Sequence, residues 1–210
     1  MGKLLQVQGL TRRFGGLEAV RDVTFSVPAG SITALIGPNG AGKTTLFNLV
    51  TGVLPPSEGA IFFDAQPIHG KRPSEIAHLG IARTFQNLQV FHNLNVLENV
   101  QVAASAAAQR YPFYLLRSLL RRQHEDQEAR KIALAALARV GMADLAHRSA
   151  ADLSFGQQRL LEIARALAAR PRLLLLDEPA SGLSPAEVKG LADLLLELKR
   201  GGLTIFLIEH

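Results

Sequence analysis

The stretch Gly37-Pro38-Asn39-Gly40-Ala41-Gly42-Lys43-Thr44 constrains this chain more than any other, because it sits between the β-rich run Ser31–Ile36 and the helical run Leu46–Val50. The pattern G-x-x-x-x-G-K-[ST] between a strand and a helix is a phosphate-binding turn. Its glycines let the backbone curl until several N–H groups face one anion. Lys43 then reaches the β and γ phosphates of a nucleoside triphosphate, the Thr44 hydroxyl suits Mg2+, and Thr45 opens the helix behind them. A glycine-rich turn of purely structural use is the competing reading, and it does not account for both flanks. The context predicts an α/β fold.

A second run, Leu173-Leu174-Leu175-Leu176-Asp177-Glu178, reads as a buried parallel strand that delivers two acids to the C-terminal edge of a sheet, where α/β proteins bind ligands. Asp177 is then placed to hold Mg2+, directly or through water, and Glu178 to orient or deprotonate an attacking water. A strand that merely meets solvent at Asp-Glu is the plain alternative, and beside a phosphate loop it explains less. A third stretch, Ala151–Leu167, contains no nucleophile or metal ligand yet begins like a helix made for an anion. Ser154 is its expected N-cap and Phe155-Gly156 its first turn, so backbone N–H groups and the positive helix end point outward together. An ordinary capped amphipathic helix is the other possibility.

Further β-rich runs at Leu4–Leu10, Val23–Val27 and Ala60–Phe63 are separated by turn signals at Pro28-Ala29-Gly30 and Pro55–Gly59. Asn95 to Val140 is rich in Ala, Leu, Arg, Gln and Glu, with Pro112 the main interruption, which predicts a helical lobe. Strand Leu173–Leu176, helix Pro185–Arg200 and strand Leu203–Ile208 follow. A helical insertion therefore divides an α/β core. With 48% hydrophobic residues in 210 the chain suits a globular fold, and without cysteine it has neither disulfide nor thiolate chemistry. No apolar run reaches the roughly 18 residues of a membrane span, and the N-terminal residues are too charged for a signal peptide, so a soluble chain is expected. The net charge of +5 does not predict nucleic-acid binding. Its densest arginines, Arg117, Arg121 and Arg122, are followed by Glu125, Asp126 and Glu128, with i, i+4 pairs at Arg121/Glu125 and Arg122/Asp126.

The order phosphate loop, helical insertion, LSFGQQR and LLLLDEP resembles the ATP-binding subunits of ABC transporters along essentially the whole chain. The resemblance implies a P-loop NTPase core, a RecA-like mixed sheet with an antiparallel portion, formed by residues 1–86 and 170–210, with a helical subdomain at 87–169. It implies ATP and Mg2+ as ligands. It further implies that Ser154, Phe155, Gly156 and Gln157 form a signature that closes over ATP held by Gly37 to Thr45 of a second subunit. Phe155 replaces a glycine of the usual signature, a change expected to be tolerated if its side chain faces away from nucleotide. Gln86 in RTFQN resembles the glutamine that senses Mg2+ and the attacking water, with a polar turn residue as the alternative. Phe14 in RRFGG resembles the aromatic that stacks on adenine, with a core phenylalanine as the alternative. Ser184 in SGLS stands where the dimer-contacting loop usually has Asp, which predicts weaker communication between the two sites. His210 in LIEH resembles the switch histidine, and the other five histidines fit no metal site. Family members usually continue past that histidine, so the chain is expected to be cut short and to hydrolyse ATP more weakly than an extended version. GIARTFQNLQVFHNLNVLENV and EPASGLSPAE look most like importers of branched-chain amino acids, with urea or amide importers sharing the pattern. That resemblance implies a second ATPase subunit, membrane permease subunits docked near Gln86 and the helical lobe, an external substrate-binding protein, and residence at the cytoplasmic face of the membrane. A lipid or lipopolysaccharide exporter ATPase and a soluble non-transport ABC protein are the rival readings.

Overall fold

The computed structural model describes residues 2–84, 89–108 and 114–209. In chain order its elements are β1 (Lys3–Phe14), β2 (Leu17–Pro28), β3 (Ile32–Ile36), α1 (Lys43–Val50), β4 (Glu58–Phe63), β5 (Gln66–Pro67), α2 (Pro73–Leu79) and β6 (Ile81–Arg83). There follow α3 (Val96–Ala108), α4 (Tyr114–Arg139), α5 (Phe155–Ala168), β7 (Leu173–Asp177), α6 (Pro185–Arg200) and β8 (Thr204–Glu209). Contacts divide the chain into two compact units, one of residues 1–83, 172–181 and 190–210, the other of 84–171 and 182–189.

The first unit carries two sheets. One is antiparallel, in the order β2-β1-β4-β5, and the other parallel, in the order β3-β8-β7-β6. Strands β1 and β2 run 12 residues each, well beyond the apolar runs Leu4–Leu10 and Val23–Val27. Tertiary pairing explains the extension. Thr11 is buried, and Arg13 is held by Glu18 at 2.9 Å and by Glu58, so polar residues are satisfied within the ladder although the hydrophobic alternation has ended. Leu5, Val7, Leu10 and Ile61 of the antiparallel sheet share one core with Phe47 of α1 and Leu173, Leu175 and Phe206 of the parallel sheet. The Phe206 ring lies 5.1 Å from Phe47 and 5.4 Å from Phe25, in tilted geometry that aromatic quadrupoles favour. Leu173 to Leu176 are wholly buried, as the uninterrupted apolar run predicted for a parallel strand. The three-residue β6 and the short α2 carry too little pattern to be read from sequence.

In the second unit α3, α4 and α5 pack on one another, with Val96, Val100, Ala104, Ala133, Leu137, Leu161 and Ala164 buried. Small alanines at these positions let the helix axes approach closely. The predicted interruption at Pro112 lies outside the described residues, as do the side chains of Arg121, Arg122 and Glu125. Among the described residues no helix is long and apolar enough to cross a membrane, and no cluster of His, Asp and Glu could hold a metal ion.

Candidate nucleotide site

Parallel pairing aligns the C-terminal ends of β3, β7 and β8, with Ile36 opposite Glu209 and Asp177 opposite Ile208. The chain leaves β3 at Gly37 and re-enters regular structure at Lys43. Gly42, the N-cap of α1, has φ 83°, and a Cβ there would strike the carbonyl oxygen of Ala19 on β2. Both the left-handed backbone and the close approach therefore require glycine. Lys43 is 7% exposed, and its ammonium donates to the carbonyl oxygens of Gly37 and of Pro38, the latter at 3.0 Å. The loop thus wraps its own lysine. Thr44 is exposed in the first turn of α1, where helix geometry leaves the leading N–H groups without intrahelical partners and the turn itself carries no acidic residue.

Asp177 is fully buried at the end of β7. Its Oδ2 accepts a hydrogen bond of 2.7 Å from Arg83, whose other terminal nitrogen donates to Oδ1 of Asn48 on α1 at 2.6 Å. The Arg83 guanidinium also lies 5.5 Å from the centre of the Phe47 ring. Oδ1 of Asp177 is buried and, among the described residues, accepts no hydrogen bond. A buried carboxylate oxygen left in this state is a ready ligand for a hard cation or for one of its waters. Glu178 follows at 9% exposure with φ 48°, a left-handed conformation uncommon outside glycine. Its N–H donates to the carbonyl of Ile208 at 3.1 Å, and its carbonyl accepts from Ser181 at 3.2 Å. Glu209 braces the same turn by accepting from the Ala180 N–H at 3.2 Å. Sequence reasoning passed over Arg83, Asn48 and Glu209; the only signal was a basic residue closing a very short apolar strand.

Phe14 is 43% exposed at the end of β1, with the Arg12 guanidinium 4.6 Å from its ring centre, so it is not a core phenylalanine. Gln86 and His210 lie outside the described residues.

A family model described as ABC transporter matches residues 20–181. The chain belongs to the ABC transporter family. It is 43% identical over 208 residues to the high-affinity branched-chain amino acid transport ATP-binding protein LivG of Escherichia coli strain K12, covering 99% of this chain and 82% of that protein. Among solved structures it is similar to the ADP conformation of an ABC transporter ATP-binding cassette, with TM-score 0.86 and 35% identity over 100% of this chain and 82% of that one. It is also similar to a dimeric cassette in a post-hydrolysis state bound to ADP and phosphate, with TM-score 0.79 and 26% identity over 98% of this chain and 88% of that one. The core is accordingly that of a P-loop NTPase, and the chain is an ATP-hydrolysing subunit of its family.

In this ABC chain the LSFGQ stretch forms the start of α5 as its residues predicted. Ser154 Oγ accepts from the Gln157 N–H at 3.3 Å, and the Gln157 side chain accepts from the Ser154 N–H at 3.0 Å, a reciprocal capping box. Phe155, 46% exposed, packs its ring edge on Gly182 of the SGLS loop, where a Cβ would come within 2.9 Å of the ring. Gly156 is buried beneath the Glu187 carboxylate, which would collide with any side chain at 156. Glu187 is held in turn by Ser184, whose hydroxyl and N–H donate to Oε2 at 2.7 and 2.8 Å. These bonds, the hydroxyl first, keep the Glu187 carboxyl below its ordinary pKa. Ser184 thus caps α6, a task that Asp also performs.

Proposed function

We propose that the chain binds ATP with Mg2+ at the C-terminal edge of the parallel sheet and powers the import of branched-chain amino acids. The observation that carries this reading is the meeting of the Gly37–Thr44 loop, Asp177 and Glu178 at one sheet edge. Backbone N–H groups of Gly37 and of Asn39 to Thr45 cradle the phosphates, Pro38 having none to give, while Lys43 exchanges two loop carbonyls for phosphate oxygens. The exposed face of Phe14 stacks on adenine. Thr44 and Asp177 fit Mg2+, the one with an exposed hydroxyl and the other with an unpaired buried oxygen; Gln86 joins them on resemblance. When bound, that ion neutralises charge on the β and γ phosphates. Glu178 acts on the attacking water, held in place by the tied turn that follows β7, and His210 is assigned to the γ phosphate.

Ser154, Phe155, Gly156 and Gln157 serve the ATP of a second subunit, in keeping with the dimeric cassette to which the chain is similar. An open groove of about 630 Å3 in the helical unit, lined by Leu94, Glu98, Gln101, Val102, Ser105 and Asp126 among others, suits a segment of a permease; with that partner the chain would sit peripherally at the cytoplasmic face of the membrane. The substrate reading rests on the likeness to LivG. An external binding protein would complete the importer, and nucleic acid has no part in it.

Light scattering of Glu178→Gln with and without ATP tests the shared site: ATP converts monomer to dimer. A monomer that binds ATP yet never pairs refutes it. Co-purification with a permease that takes up leucine separates the importer from an exporter or a soluble ABC protein.

A further inference from the structure

Two residues proposed to hold the metal come from different elements, Thr44 from α1 and Asp177 from β7, and something must fix their spacing. An Asp side chain does not do so by itself, because its terminal torsion is soft and nearly two-fold. Arg83 is built for the task. It ends β6 in register with Leu175, and Asp177 lies two residues further along β7, so Leu175 and Asp177 project from the same face of the sheet. The Arg83 fork spans the step, one terminal nitrogen on Asp177 Oδ2 at 2.7 Å and the other on Asn48 Oδ1 at 2.6 Å. Asn48 stands four residues after Thr44, one turn along the same side of α1. The side chains of Arg83 and Asp177 are only 6% and 1% exposed, so water does not compete for these bonds. With Oδ2 occupied, Oδ1 alone remains, buried and without a hydrogen bond from the described residues.

We propose that Arg83 is the positioning residue for the metal: it locks the rotation of Asp177, presents Oδ1, and ties β7 to the Thr44 face of α1. This rests on the nucleotide reading above. Lysine cannot replace it, since one ammonium on a flexible stem does not reproduce two nitrogens in a rigid planar fork. Outer partners of metal ligands are worth roughly 10- to 100-fold in metal affinity.

The test is calorimetric titration in a Glu178→Gln background, in which turnover is slowed, with ATP in EDTA and separately with Mn·ATP. Arg83→Lys leaves the Kd for ATP in EDTA within about twofold and weakens Mn·ATP by about tenfold or more. The electron paramagnetic resonance spectrum of the bound Mn2+ broadens as Asp177 loses its fixed rotamer. Asn48→Ala, which keeps the buried charge pair, shifts Mn·ATP in the same direction by a smaller factor, and decides the matter if Arg83→Lys does not fold. Equal shifts in both Kd values, or none in the Mn·ATP value, overturn the proposal. Failure of the parent protein to bind ATP in either form removes the nucleotide reading and this proposal with it.

Discussion

The sheet edge and the LSFGQ turn each carry a helix start proposed to meet phosphate, but they are built in opposite ways. At the sheet edge Lys43, Asp177 and Glu178 are each less than a tenth exposed, and Arg83 and Glu209 brace the surrounding turns from within the same unit. At the LSFGQ turn Ser154 and Phe155 are exposed, the first bonded to Gln157 in its own helical turn and the second resting on Gly182 of the SGLS loop. Burial gives the first region the low dielectric that strengthens charge interactions and makes each lost partner costly. The second buries Gly156 but leaves Ser154 and Phe155 open to solvent, as suits a surface proposed to meet another molecule. The proposed function accordingly assigns chemistry to the first region and assembly to the second.

Four variants break or sharpen that contrast. The largest effect is expected from Glu178→Gln, which removes the group proposed to act on water: kcat falls on the order of 100- to 10,000-fold while ATP affinity stays within about twofold. Steady-state phosphate release and equilibrium titration read the two quantities, and an unchanged kcat reassigns the base. Next, Lys43→Ala weakens ATP binding by about 10- to 100-fold, the worth of a charge-assisted hydrogen bond in a buried setting. Gly182→Ala strikes the other region. Because φ is +78° and Phe155 fills the space, the ring must move, so ATP-driven dimerisation weakens several-fold while ATP binding by the monomer is unchanged; sedimentation at graded concentrations measures it. If monomer binding fell as well, the division of labour between the two regions would be wrong.

The smallest effect is a pH dependence at the same loop. The Glu187 carboxyl has a lowered folded pKa, so its contribution to stability is complete above the ordinary glutamate value of about 4.3 and disappears as pH falls through the lower folded value. Urea midpoints for the parent protein and Glu187→Gln should therefore differ slightly at neutral pH and converge in acid. A gap that persists in acid would mean that packing over Gly156, and not charge, is what Glu187 supplies.

Much of this was legible in the residues because it depends on neighbours in sequence. Eight consecutive residues define the phosphate loop, an apolar run marks β7, and Ser154 with Gln157 three positions on specifies a capping box. Phe14 was not decided, since an aromatic reads alike in a core and on a surface until its neighbours are known. The lengths of β1 and β2 were underestimated for a related reason: polar residues stay in a ladder when their partners come from distant segments, as Glu58 does for Arg13.

The sequence by itself determined the fold class and marked the loop and the acids proposed to meet phosphate and metal, because each is written in local pattern and period. Only the tertiary structure decided that Arg83, 94 residues from Asp177, pins one oxygen of that carboxylate, and that Phe155 rests on Gly182. Such pairs are set by strand register and by the approach of segments far apart in the chain, and no local pattern encodes which distant side chain will arrive.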